Sequence, residues 1–145
     1  MIWRLAVVAL AGCATFVEPD VGPLAHEPCS DVDRDPGRDV SFSRDIAPLV
    51  DEYHCKNCHT PTGQTPIGLL VGGLDLSSYD TLRAGGVRSM AGIVIPGMPC
   101  ESVLLQKVSP GPPFGSRMPL DGPNYLEPED LAVIADWIVE GAHDN

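Results

Sequence analysis

Cationic residues are scarce. Nine lysines and arginines stand against twenty aspartates and glutamates, a formal net charge of −11. Binding to a phosphate backbone draws its affinity from clustered cations, so a nucleic-acid partner is excluded, as is adhesion to an anionic membrane by charge alone. The acidic balance suits solubility and the steering of a basic partner equally. Aromatic residues make up only 6% of the chain, a thin supply for a core. The apolar run Leu5 to Leu10 is far short of the about 20 residues that a membrane-spanning helix needs. No alternating apolar pattern is long enough to argue for strands. No nucleophilic triad or phosphate loop stands out, and the pair Glu129 and Asp130 is explained by the first turn of a helix, so no enzyme is expected. Glycine and proline are plentiful, at 15 each, which calls for turns and loops between short elements. A chain of 145 residues has room for one domain.

The first residues read as a targeting segment. Arg4 supplies the positive end, Leu5 to Leu10 the apolar run, and Leu10-Ala11-Gly12-Cys13 resembles a bacterial lipoprotein signal. Cleavage would leave Cys13 as a lipidated N-terminus. The expected organisation is a signal peptide over 1–12, a lipidated acidic tether over 13–40, and a globular domain over 41–145. The protein would then sit on the periplasmic or outer face of a bacterial membrane, held by lipid on Cys13. A plain secretory signal is the alternative. Within the tether, Asp31-Val32-Asp33-Arg34-Asp35-Pro36-Gly37 has the look of a calcium loop, but Phe42 stands where an EF-hand needs glutamate, so an acidic linker is the better reading.

The domain reads as all-α with long irregular connections. Ser43 can cap a helix from Arg44, with Phe42 against Ala47 as a staple and Ile46, Leu49, Val50 and Tyr53 as its buried stripe; Pro48 is its awkward member. Residues 60–77 read as a loop with an apolar centre, Ile67 to Leu70. Short helices follow at Ser78 to Ala84, ended by Gly85-Gly86, and from about Glu101 to Val108. The clearest helix opens at Pro128, lines one face with Leu131, Ile134, Ala135 and Ile138, widened by Trp137, and stops at Gly141.

The central motif is Cys55-Lys56-Asn57-Cys58-His59. Two thiols three positions apart followed by a histidine form the pattern of c-type haem attachment, in which the thiols add to the vinyl groups and the imidazole binds iron. A zinc site would want a second ligand pair, and neither Cys29 nor Cys100 lies in a partner C-x-x-C. A dithiol oxidoreductase would want a surrounding βαβ pattern. For the sixth iron position the candidates are Met90, Met98, Met118, His54, His26 and His143. Met118, between Arg117 and Pro119, is favoured, with Met98 second.

From Phe42 to Ala142 the chain resembles the cytochrome c domain of bacterial exported proteins. The matching pieces are Phe42 to Leu49, Cys55 to His59, Gly73-Leu74-Asp75-Leu76, Ile95-Pro96-Gly97, Arg117-Met118-Pro119 and Trp137 to Ala142. The resemblance implies one haem c on Cys55 and Cys58, with His59 and Met118 as iron ligands, and electron transfer to redox partner proteins. Its rivals are a haem enzyme or gas sensor with an open distal position, and an interaction module that haem stabilises. Arg117 would lie near a propionate or point to solvent. Cys29 and Cys100 remain, as a disulfide stapling tether to domain, as two free thiols, or in an intermolecular bond.

Overall fold

The computed structural model describes residues 29–122 and 124–145. The expected signal peptide, Cys13, His26 and the tether as far as residue 28 lie outside the described residues. Among the described residues every regular element is helical, as expected, and none is long and apolar enough to cross a membrane.

The helical body opens two residues earlier than the expected cap. The Ser41 hydroxyl accepts from the Arg44 N–H at 3.2 Å, and the Ser41 N–H donates to Asp45 at 2.8 Å, so side chain and backbone satisfy each other across the first turn. That turn, Phe42–Ile46, is a π turn, and α1 (Ala47–Glu52) follows it. The wide turn resolves the difficulty of Pro48, which falls in the first turn of α1, where a missing donor costs nothing. Ile46 and Leu49 are buried, with Val50 and Tyr53 partly so, along the expected stripe.

His54 adopts a left-handed φ of 54°, which breaks the helix and starts the single turn α2 (Lys56–His59) in a new direction. The stretch expected as loop contains a short helix, α3 (Ile67–Gly72). Its glycines and lack of a side-chain cap hide it from propensity; packing against α2 holds it. Helix α4 (Tyr79–Ala84) begins at a capping box between Ser78 and Thr81 and ends at Gly85, as expected. The helix expected from Glu101 divides into a 3₁₀ turn, Pro99–Glu101, and α5 (Val103–Val108).

Helix α6 (Pro128–Val139) supplies much of the core. Ile134, Ala135, Trp137 and Ile138 are buried, and the helix packs on α5, on the π turn and on the 3₁₀ turn at Pro99. Trp137 is fully buried, and its indole N–H donates to the His143 carbonyl at 3.0 Å. Phe42 lies 5.8 Å from it and 5.3 Å from Tyr79, ring centre to ring centre. Three of the chain's aromatics thus meet in one cluster.

Residues 29–40 run along this body as an arm. Cys29 is bonded to Cys100, the disulfide among the alternatives the sequence left open. The Arg34 N–H donates to buried Asp136 at 2.9 Å, and the Val40 N–H donates to Glu140 at 2.6 Å. Val40 itself is buried. Closing a 71-residue separation stabilises the fold by about 4 kcal/mol through lost chain entropy in the unfolded state.

Trp137→Ala removes the largest fully buried side chain and leaves a cavity. We expect a loss of about 3–5 kcal/mol, read as a lower midpoint in urea with little change in slope.

Candidate functional site

Two cysteine centres are present among the described residues. The first is the turn α2. Cys55 and Cys58 are free and half-buried, and His59 follows on the same turn. The His59 ring is held on two sides. Its Nδ1 lies 3.1 Å from the Leu74 carbonyl, so the tautomer protonated at Nδ1 donates there and leaves Nε2 with the free lone pair. Gly68 of α3 lies against the ring so closely that a Cβ there would fall 2.5 Å from Cε1 and 2.6 Å from Nε2. The glycine that weakens α3 as a helix is therefore what lets it cover His59.

Burial pushes the Cys55 thiol up to about 11, with the charges of Cys58, Asp121 and Asp51 adding to the effect. This thiol is protonated at neutral pH, the reverse of an activated nucleophile. Beside the turn lies a polar cleft of about 310 Å³, lined by Lys56, Asn57, Thr60, Thr62, Gly63 and Ser77.

Met118 arrives from the connection between α5 and α6. Its N–H donates to the Lys107 carbonyl at 2.8 Å, its bond to Pro119 is cis, and its side chain packs against the core. Met98 and Met90 are exposed. Arg117 is neither a free surface cation nor turned to an acidic group: its guanidinium donates to the Val108 carbonyl at 2.9 Å and lies 4.2 Å from the Tyr125 ring centre. It ties the Met118 segment to the end of α5.

The second centre is Cys29, Asp31 and Cys100. Their two sulfurs and a carboxylate oxygen lie within 4.8 Å of one another, the three-donor cluster of metal-ligating type found among the described residues. The Asp31 carboxylate is held in place by the Cys100 N–H at 2.9 Å. Asp31 was missed as a site residue, because its acidic neighbours read as linker. The one signal was the closeness in sequence of Cys29 and Asp31, a thiol and a carboxylate two positions apart.

No family model, no curated protein and no solved structure matches the chain. The expected membership of the cytochrome c family is corrected on these findings. The metal-type donors that converge are those of Cys29, Asp31 and Cys100, and not a set built on His59. The expectation of haem c on Cys55 and Cys58 with iron on His59 and Met118 goes with it, as do single-electron transfer through that haem and the haem enzyme or sensor. A five-residue motif sets the order of donors along the chain; tertiary packing decides which donors meet. What stands is a disulfide-stapled all-α domain with two separate cysteine centres.

At pH 8 the thiolate fraction of Cys55 is about two orders of magnitude below that of an ordinary cysteine. Iodoacetamide labelling of Cys55, followed peptide by peptide in a mass spectrometer, should rise about tenfold per pH unit and level off only near 11. Gly68→Ala should displace the His59 ring and cost about 1–3 kcal/mol, seen as moved imidazole resonances together with a lower urea midpoint.

Proposed function

We propose that this is an exported, lipid-tethered binding protein whose working site is Cys29, Asp31 and Cys100, a redox-gated holder for a thiophilic divalent cation. The observation that carries the reading is the Asp31 carboxylate, held within 4.8 Å of both sulfurs of the Cys29–Cys100 disulfide. As a disulfide the sulfurs are poor ligands. A dithiol reductant would cleave the bond by thiolate attack, leaving two thiols here and a disulfide on the reductant. Cys29 is exposed, so attack at its sulfur has a path. A cation then takes both sulfurs as thiolates, releasing two protons, and takes one oxygen from Asp31. Two thiolates and a carboxylate would be a donor set of the kind zinc takes.

The remaining parts of the reading agree with this site. A disulfide suits the oxidising compartment that an exported protein enters. The expected redox partner becomes a dithiol–disulfide protein. The surplus of acidic charge favours cations near the surface. The role is binding rather than catalysis.

The direct test is zinc titration against a chromogenic chelator, with Cys55 and Cys58 both replaced by serine. The phosphine-reduced chain should bind one equivalent and the oxidised chain none at this site. Asp31→Asn should weaken binding by about tenfold or more. Binding that survives Cys29→Ser undiminished would refute the site.

A further inference from the structure

The arm of residues 29–40 brings acid to acid. It carries Asp31, Asp33, Asp35 and Asp39, with Arg34 and Arg38 as its cations, and it docks on Asp136 of α6 and on Glu140, which caps the end of that helix. Of the arm's cations, Arg38 is spent on Asp45. Burial raises the Glu140 carboxyl; the Val40 N–H that it accepts from works the other way, and the nearby charges of Asp33, Asp39 and Asp136 add to the rise. The arm is therefore held against an electrostatic cost. Two backbone N–H groups, buried Val40 and the Cys29–Cys100 bond hold it there.

Cleaving that bond removes the covalent tie and leaves Asp31 beside two ionisable thiols. A cation bound by Cys29, Asp31 and Cys100 would restore a link between the same two segments and cancel part of the negative charge. Resting on the reading of these three residues as a metal site, we infer that the cation is a replacement staple for the disulfide. The arm is docked in the oxidised chain, released in the reduced metal-free chain, and docked again in the reduced metal-bound chain. Metal availability then controls arm position only under reducing conditions.

The experiment follows amide hydrogen exchange in the full chain by NMR, with Cys55 and Cys58 as serine. Three states are compared: oxidised, phosphine-reduced with chelator, and phosphine-reduced with one equivalent of zinc. The Arg34 and Val40 amides report the arm, and the Trp137 indole N–H reports the helical body. Arm protection should fall at least about tenfold on reduction and return with zinc, while Trp137 stays protected. Arm protection unchanged by reduction would overturn the inference. Loss of Trp137 protection together with the arm would do so too, since the arm would then have no separate release. Zinc that binds by chelator competition without restoring arm protection sinks the staple and leaves the metal site standing. Absence of zinc binding sinks the site itself and the staple with it.

Discussion

Burial of one face of α6 is the interaction on which the other elements close. Trp137 and Ile138 are fully buried, and the aromatic trio of Phe42, Tyr79 and Trp137 joins the two ends of the helical body. With few aromatics in the chain, the three that meet at α6 bury a large share of apolar surface at one point of the core. The short helices α1 to α5 could not stand alone; each has about one or two turns and gains its stability from packing.

A buried acid within α6 sets a second constraint. Asp136 is buried, and its charge must be met by donors. One such donor is the Arg34 N–H of the arm, so residues far apart in sequence become neighbours. The disulfide makes that pairing durable despite the acidic character of both partners. The same proximity that permits the bond also puts Asp31 beside the sulfurs, so structural staple and candidate metal site are one arrangement in two oxidation states.

Much of the helical layout was legible in the sequence. The α6 stripe, the Ser78 cap with its Gly85 stop, and the stripe of Ile46 and Leu49 are local patterns, and the structure repeats them. The cap at Ser41 rather than Ser43 was not legible, because two serines compete and the π turn that accommodates Pro48 decides between them. Nor was α3: Gly68 reads as a breaker until His59 is seen lying against it. Arg117, left open between a propionate contact and solvent, is fastened to the Val108 carbonyl and the Tyr125 ring.

The site divides along the same line. By itself the sequence determined that Cys55, Cys58 and His59 share one turn, that the chain is acidic, and that an all-α domain follows an acidic stretch. These depend on neighbours a few positions apart, where helical geometry alone sets proximity. Only the tertiary structure decided that Cys29 pairs with Cys100, that Asp31 joins them, and that the stretch before residue 41 is docked on α6. Those contacts bridge about half the chain or more, and spacing along a sequence carries no information about a distance that only packing of the core can close.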